Sequence, residues 1–185
     1  MSRVLPLRFF QRPAQLVARE LVGALLVSTV DDRTVIGRIV ETEAYLGRDD
    51  PASHAYRGRR YQGNAAIYGP AGSWYVYRSY GIHWCANLVT GQPEAGAAVL
   101  LRGVAIMTGL EVARSRRGPV ADRRLADGPG KLCQAFGITR ENLDGAGMRA
   151  AVVRVLEGED PGPIEVTPRI GITKAVDWPL RFLTR

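Results

Sequence analysis

Residues 74–89 read WYVYRSYGIHWCANLV and carry the strongest structural signal in this 185-residue chain. Two runs rich in aromatic and β-branched residues flank one glycine, a pattern that predicts a β-hairpin with Tyr80-Gly81 at or near its tip. Five of the 14 aromatic residues fall within eleven positions here. We expect Trp74 and Trp84 to pack in the core, whereas a tyrosine at a solvated tip is a candidate wedge between nucleic-acid bases.

The segments around the hairpin mix strands and helices without a regular βαβ alternation, which favours a one-domain α+β fold over a doubly wound sheet. Residues 47–63 are polar, arginine-rich and punctuated by glycine, so we expect a long surface loop of the kind that is commonly functional. Helices are predicted at residues 12–21, 110–117 and 132–136. Strands beside the hairpin are predicted at residues 24–30, 34–46, 97–101, 151–156, 169–172 and 180–183.

The composition is that of a folded globular protein, with 46% hydrophobic and 23% charged residues. No apolar run approaches the ~20 residues that a membrane span needs, and no signal peptide is expected. The two cysteines, Cys85 and Cys133, are far apart, which argues against a disulfide framework or a cysteine zinc site and favours a reducing, cytosolic compartment. The net charge of +7 favours a polyanionic partner, although 23 of the 25 basic residues are arginine, a bias that genome composition alone can produce.

Glu41, Glu43 and Tyr45 occupy every second position of a predicted strand and should share one face of it with Ile39. Hydrolytic chemistry needs such a carboxylate beside a cavity, where it can take a proton from water. The alternative is a set of exposed glutamates at a strand end, or glutamates paired with arginines. Spacing alone favours that alternative.

Three further features leave their function open on spacing alone. His54 and His83 lie 29 residues apart without ligand spacing, so no metal site is expected. The run Gly128-Pro129-Gly130-Lys131 precedes a predicted helix whose N–H groups could bind a phosphate, but it lacks P-loop spacing and equally fits a simple helix start. Arginines cluster at residues 57–60 and 114–124, as a solvated basic face or as a footprint for a nucleic-acid backbone.

Several blocks of the sequence, taken in order, resemble the alkyladenine (3-methyladenine) DNA glycosylase family. The first is GRIVETEAYLG at residues 37–47, followed by DPASH at residues 50–54. The hairpin of residues 75–87 continues the match, as do residues 99–102, 128–135, 169–172 and 179–182. The resemblance covers about residues 16–182, nearly the whole chain, and the blocks agree in register.

The resemblance implies a monofunctional DNA repair glycosylase occupying residues 1–185 as one α+β domain, with a curved antiparallel sheet and a hairpin that inserts into the DNA minor groove. Such an enzyme flips an alkylated or deaminated purine out of the duplex and hydrolyses its N-glycosidic bond, leaving an abasic site. The implied partner is double-stranded DNA with a damaged purine. No metal, organic cofactor or membrane is implied, and a monomer in the cytoplasm or nucleoid is expected.

The same resemblance assigns roles to individual residues. Glu43 would be the base that activates water, which Arg102 and the Ile170 carbonyl would help to hold. Tyr80 would fill the gap left by the flipped nucleotide. The base pocket would comprise Tyr45, His54, Tyr77 and Asn87. The first three would sandwich the purine, the backbone N–H of His54 would face its N7, and Asn87 would oppose the amine of guanine. Contacts to the DNA backbone would come from Arg59, Arg60, Gly130 and Lys131.

The sequence departs from the family pattern in one place and leaves alternatives open. Where the family carries Thr-x-Arg-Asn, this chain has YQGN at residues 61–64, followed by Ile67-Tyr68, so Arg59 or Arg60 is a candidate replacement for the missing arginine. Neither the general acid nor the preference among 3-methyladenine, 7-methylguanine, hypoxanthine and ethenoadenine is predicted. The alternatives are a non-catalytic nucleic-acid-binding module on the same fold and a carbohydrate hydrolase that uses Glu41 and Glu43, about 7 Å apart.

Overall fold

The computed structural model describes residues 2–184 and is built on eight β-strands and five helices. The strands are β1 (Leu25–Ser28), β2 (Val35–Tyr45), β3 (Trp74–Ser79), β4 (His83–Thr90), β5 (Ala97–Thr108), β6 (Val153–Leu156), β7 (Glu165–Thr167) and β8 (Arg181–Leu183). The helices are α1 (Leu7–Phe10), α2 (Ala14–Leu21), α3 (Leu110–Arg117), α4 (Pro129–Phe136) and α5 (Arg140–Leu143). None of these helices is long and apolar enough to cross a bilayer.

All eight strands belong to one antiparallel sheet, in which the long strands β2 and β5 pair at the centre. The strand order is β3-β4-β5-β2-β1-β6, and β8 pairs with both β2 and β7. The prediction of a mixed α+β fold is therefore confirmed. Because β2 is flanked by β5, β1 and β8, a side chain near its end can meet groups from distant parts of the sequence.

The sequence carries a start signal for helix α2 and signals for both ends of helix α4. Pro13 precedes α2, and Pro129 occupies the first position of α4, where a missing N–H costs no hydrogen bond. Gly137 ends α4 in the left-handed conformation, with φ +70°. Thr42 on β2 donates from Oγ1 to the Ala18 carbonyl over 2.7 Å, which ties α2 to the sheet.

The two faces of the sheet bury different clusters. The main core lies on the face covered by the helices, and it includes Trp74 and Val76 of β3. Tyr75, between them, belongs to a second cluster on the opposite face, as the alternation of side chains along a strand requires. The second cluster consists of Ala55, Ile67, Tyr68, Tyr75, Val89 and Ala98. It supports the long segment between β2 and β3.

The hairpin predicted from residues 74–89 is confirmed. Strands β3 and β4 pair from Trp74–Leu88 to Ser79–His83, so residues 80–82 form the tip. Trp74 is fully buried as expected, whereas Trp84 is only half-buried.

Two predictions about secondary structure are wrong. Residues 169–172 form a turn rather than a strand, because Gly171 adopts φ +77°, and the strand in this region is β7. Residues 47–63 are not simply a surface loop: short 3-10 turns fold them back onto the sheet, and Asp50 and Ala55 are completely buried.

Strand β2 also breaks its own alternation near Glu41. Ile39 pairs with Val104, Glu41 with Gly103 and Thr42 with Leu101, so the register shifts on both sides of Glu41. This irregularity is a β-bulge, which changes the face that later residues occupy. Ile39 consequently packs in the main core, and the prediction that it shares a face with Glu41 and Glu43 is wrong.

Candidate active site

One face of the sheet carries a cavity of about 850 Å³. Its floor is built from side chains at every second position of neighbouring strands, as the strand period requires. These are Tyr75 and Tyr77 of β3, Cys85 and Asn87 of β4, Ala98, Leu100 and Arg102 of β5, and Tyr45 of β2. Residues 51–54 and 170–174 form walls at its sides.

The pairing register aligns Glu43 with this floor. Asn87 pairs with Tyr75 on one side and with Leu100 on the other, and Leu100 pairs with Glu43. The Glu43 side chain has no exposed surface, yet it contacts three residues that line the cavity. Its carboxylate therefore lies directly behind the cavity wall.

Two hydrogen-bond donors and one ion pair hold the Glu43 carboxylate. The Tyr45 hydroxyl donates to Oε2 over 2.9 Å, and the backbone N–H of Ile170 donates to Oε1 over 2.8 Å. Arg102 Nε lies 3.3 Å from Oε1. At Ile170 the contact with Glu43 is made by the backbone N–H, and the role of the Ile170 carbonyl in holding the water stays a prediction.

The environment of Glu43 acts in two directions on its pKa. Burial raises the pKa, because a carboxylate loses its hydration, while Arg102, the Ile170 N–H and the Tyr45 hydroxyl lower it; the net shift is upward. A carboxylate that is buried, held by donors and shifted toward neutrality has the properties of a general base.

Arg102 joins the two glutamates of β2. Its Nε donates to Glu41 Oε1 over 2.8 Å, and Arg181 Nε donates to the same oxygen over 2.6 Å. Arg102 lies at the register shift, between the residues that pair with Glu41 and Thr42. The bulge thus brings one guanidinium to both carboxylates. Two arginines compensate the negative charge of Glu41. Glu43 is the carboxylate that lies next to the cavity.

One hydrogen bond and two ring contacts connect the aromatic side chains in the wall of the cavity. His54 Nδ1 lies 2.7 Å from the Tyr75 hydroxyl, and its ring meets the Tyr77 ring edge-on at a centroid distance of 4.4 Å. Tyr75 and Tyr77 stack at 5.5 Å. Burial lowers the pKa of His54, and the charge of Arg59 lowers it further, so the imidazole is neutral at pH 7. Tyr75 was not singled out from the sequence, although it lies in the hairpin run.

Asn87 lies buried in the floor with its amide fixed. Its Nδ2 donates to the Tyr75 carbonyl over 3.0 Å and to the Cys85 carbonyl over 3.3 Å. Both N–H groups are therefore used by the backbone, and the side chain cannot swing away from a molecule that enters the cavity.

Tyr80 is the most exposed large hydrophobic residue described, with 88% of its surface accessible. It sits at the hairpin tip with φ +50°, a left-handed conformation that is unfavourable for a tyrosine. It also lines the rim of the cavity. Strain at an exposed aromatic residue is a sign of a functional position rather than of packing.

The three cationic residues expected at the DNA backbone differ in the groups that their side chains contact. The Arg59 guanidinium lies over the Tyr61 ring at 5.4 Å. Arg60 pairs with Glu94, and Lys131 Nζ lies 2.8 Å from Asp127 Oδ1. Exposed pairs of this kind contribute only about 0–1 kcal/mol, so either cation could exchange its partner for a phosphate.

Gly130 holds the start of α4 against the hairpin. A Cβ at this position would lie 2.7 Å from the Cβ of His83, closer than such atoms approach. Only glycine allows this approach, which brings the N-terminus of α4 next to β4.

The departure at residues 61–64 has a local structural explanation. A Cβ at Gly63 would meet the Tyr61 ring at 2.9 Å, so the bulky residue at 61 occupies the room that a side chain at 63 would need. Asn64 keeps a structural role, since its Nδ2 donates to the carbonyls of His54 and Arg59, each over 3.0 Å. Tyr61 lines the cavity and is 43% exposed.

Two further residues near the site escaped the sequence analysis. Asp50 and Arg169 form a completely buried ion pair between the segment after β2 and the turn that carries Ile170. They are 119 residues apart, and no local pattern marks them as partners. Within residues 2–184, no cluster of three or more His, Cys, Asp or Glu side chains forms a metal-binding group.

Comparison with known proteins agrees over nearly the whole chain. The family model for methylpurine-DNA glycosylase (MPG) matches residues 8–185. A protein of Methanoculleus marisnigri, whose name refers to 3-methyladenine DNA glycosylase, is 47% identical over 183 residues, which cover 96% of this chain and 93% of that relative. A similarly named protein of Agrobacterium fabrum is 49% identical over 182 residues, covering 98% and 89%. One from Encephalitozoon cuniculi is 43% identical over 180 residues, covering 94% and 86%.

The fold, the site and these relatives together define a DNA repair glycosylase, an enzyme that hydrolyses N-glycosidic bonds in DNA. The chain belongs to the methylpurine-DNA glycosylase family.

Proposed function

We propose that this enzyme flips an alkylated or deaminated purine out of duplex DNA into the cavity and hydrolyses its N-glycosidic bond with a water activated by Glu43. The names of the relatives support 3-methyladenine as one such base. The observation that carries the proposal is the Glu43 carboxylate, fully buried behind an aromatic cavity and held by two hydrogen-bond donors and the Arg102 ion pair.

The chemistry needs one base and one well-placed water. Glu43 takes a proton from water, and the oxygen attacks the sugar C1′ while the electron pair of the glycosidic bond goes to the purine nitrogen. The products are an abasic sugar with a hydroxyl at C1′ and a free purine. Arg102 and the Ile170 carbonyl are proposed to hold the water, and the charge of Arg102 next to Glu43 supports the ionised form that the step requires.

A purine methylated at N3 or N7 is cationic and leaves as a neutral base, so it needs no general acid. A neutral lesion such as hypoxanthine must gain a proton on its leaving nitrogen, and no residue is assigned to supply that proton. The aromatic side chains of Tyr45, His54 and Tyr77 line the cavity and suit such a base, since a cation gains about 0.5–2 kcal/mol over an aromatic face. Because the imidazole of His54 is neutral, it does not repel the positive charge. The backbone N–H of His54 is proposed to face purine N7.

Asn87 is proposed to bias the cavity against undamaged guanine. Its amide is fixed by two backbone carbonyls, so the exocyclic amine of an undamaged guanine would meet a side chain that cannot move aside. Adenine-derived bases and hypoxanthine lack this amine, and their entry is unopposed.

Tyr80 is proposed to take the place of the flipped nucleotide after the hairpin enters the minor groove. An exposed aromatic wedge at the rim of the cavity offsets part of the unstacking cost, which amounts to a few kcal/mol. Arg59, Arg60, Lys131 and the N–H of Gly130 are proposed to bind the DNA backbone on either side of the hairpin. Cavity, carboxylate and wedge all belong to one chain, which supports action as a monomer. The proposed place of action is genomic DNA in the cytoplasm or nucleoid.

The reaction is tested by incubating the enzyme, without added metal, with four duplexes that each carry one lesion. The lesions are 3-methyladenine, 7-methylguanine, hypoxanthine and ethenoadenine, and alkali-labile abasic sites are measured. We expect strand cleavage after alkali for at least one alkylated purine and none for an undamaged duplex. No abasic site with any of the four would contradict the proposal.

A further inference from the structure

The buried ion pair between Asp50 and Arg169 is not needed by the reaction as described above. Both side chains are fully inaccessible, and Arg169 Nη2 donates to Asp50 Oδ1 over 2.9 Å while Nη1 binds the other carboxylate oxygen. Burying two charges costs several kcal/mol before their attraction is counted, so such a pair is a poor way to gain stability alone. Its position suggests another use.

Asp50 organises the chain that leaves β2. Its Oδ2 accepts from the N–H of Leu46 over 3.1 Å, and its Oδ1 accepts from the N–H of Ala52 over 3.0 Å. The Asp50 carbonyl accepts from the N–H of Ser53, the residue before His54. One carboxylate thus sets the course of the segment that leads from Tyr45 to the base pocket.

Arg169 reaches the other side of Glu43. Its Nη1 donates to the Ala44 carbonyl over 3.0 Å, and its guanidinium lies 4.7 Å from the centre of the Tyr45 ring. The next residue, Ile170, donates its N–H to Glu43. Arg169 therefore fixes both the ring whose hydroxyl binds Oε2 and the turn whose N–H binds Oε1.

We propose that Arg169 is the positioning residue of the active site: paired with Asp50, it clamps the Ile170 turn and the Tyr45 ring onto the Glu43 carboxylate, so that the ionised base is stabilised and aimed at the cavity. This inference rests on the proposed role of Glu43 as the base. A planar guanidinium is required, because only its fork can bind Asp50 and the Ala44 carbonyl at once while it covers an aromatic ring.

The proposal predicts a change in the acidic limb of the pH–activity profile, the part in which activity falls as the pH is lowered. Donors to Glu43 favour its ionised form, so a turn that slips away leaves a carboxylate that stays protonated to higher pH. Four other charged or titratable groups around Glu43 are not contacted by Arg169; they are Glu41 on β2, Cys85 on β4, Arg102 on β5 and Arg181 on β8. Tyr45, the remaining group, belongs to the clamp itself.

The test is the pH profile of single-turnover base release from duplex DNA methylated with dimethyl sulfate. Arg169→Lys keeps the charge but loses the fork. We expect the rate at neutral pH to fall by about tenfold to a hundredfold, with the acidic limb moved to higher pH and binding to an abasic duplex retained. The control is Arg116→Lys, at a part-buried arginine that is bound to two carbonyls and does not line the cavity. It should leave the profile in place.

A second variant covers the case in which Arg169→Lys fails to fold. Ile170→Pro removes the N–H that reaches Glu43 and leaves the ion pair intact, so it should move the acidic limb in the same direction. An unchanged limb in a folded Arg169→Lys protein, or in Ile170→Pro, would overturn the clamp. If instead Glu43→Gln retained base release, the proposed function itself would fail, and the two failures are thereby distinguished.

Discussion

The hydroxyl of Tyr45 donates a hydrogen bond to Glu43 Oε2 over 2.9 Å, so a wall of the base pocket directly contacts the proposed catalytic carboxylate. Glu43 and Tyr45 are two positions apart on β2, and their side chains point to the same face because the bulge at Glu41 lies before both. If a base binds against Tyr45 as proposed, this hydrogen bond links its binding to the charge state of Glu43.

Removing that hydrogen bond should raise the pKa of Glu43. We expect Tyr45→Phe to keep the ring and its contact with a bound purine while the acidic limb of single-turnover excision moves to higher pH, because the ionised carboxylate loses a donor. Activity lost on the acidic side of the profile should be regained as the pH rises. Tyr77→Phe is the control, since its hydroxyl interacts with Cys85 rather than Glu43. A Tyr45→Phe limb at the wild-type pH would disprove the coupling.

The strain at Tyr80 should separate function from stability. Tyr80→Gly relieves a left-handed φ of +50°, so the free energy of unfolding should stay the same or rise by up to about 1 kcal/mol in urea titrations. Excision and the increase in 2-aminopurine fluorescence on complex formation should both drop. Asp32→Gly, at φ +56° in the turn between β1 and β2, is the matched control and should excise normally. Undiminished fluorescence with Tyr80→Gly would argue against the wedge.

Gly130 should tolerate no side chain. A Cβ there would lie 2.7 Å from His83, so Gly130→Ala should push α4 away from the hairpin and lower the free energy of unfolding by about 1–3 kcal/mol. At Gly128 the nearest atom would be the end of the Lys131 side chain at 3.8 Å, and Gly128→Ala should cost clearly less. Equal stabilities of the two variants in thermal melts would contradict the close approach.

The positive charge should act on binding rather than on chemistry. We expect the affinity for duplex DNA to fall steeply with salt, while single-turnover excision at saturating enzyme changes much less. Arg59→Gln should reduce the slope of log affinity against log salt by about 1, as expected for one phosphate contact. Arg3→Gln, at an exposed arginine paired with Glu157, should leave the slope unchanged. Equal slopes for all three proteins would remove Arg59 from the interface.

The features that the sequence predicted well are those set by local chemistry. The hairpin was predicted from its β-prone runs and the tip glycine. Helix α3 was predicted at residues 110–117. Both lie where they were expected. Arg169 and Ile170 were misplaced in a strand, because the left-handed turn at Gly171 depends on packing against a strand more than a hundred residues earlier.

The candidate site likewise combines features that the local sequence predicts with features that depend on contacts between distant segments. Glu43 and Tyr45 were placed on one face by the period of a strand, but the bulge that removes Ile39 from that face leaves no mark in the sequence. The Asp50–Arg169 pair was missed because its members are 119 residues apart. Contacts between distant segments complete the site, and the period of a strand does not encode them.

The central claim is that Glu43 is the base, and Glu43→Gln tests it most directly. Glutamine keeps the shape of the side chain, and because burial penalises the charged carboxylate, the variant should be at least as stable as the wild type at neutral pH. With duplex DNA methylated by dimethyl sulfate and enzyme in excess, we predict that base release is abolished while binding to the same DNA persists. Base release by Glu43→Gln at a rate close to that of the wild type would contradict the account.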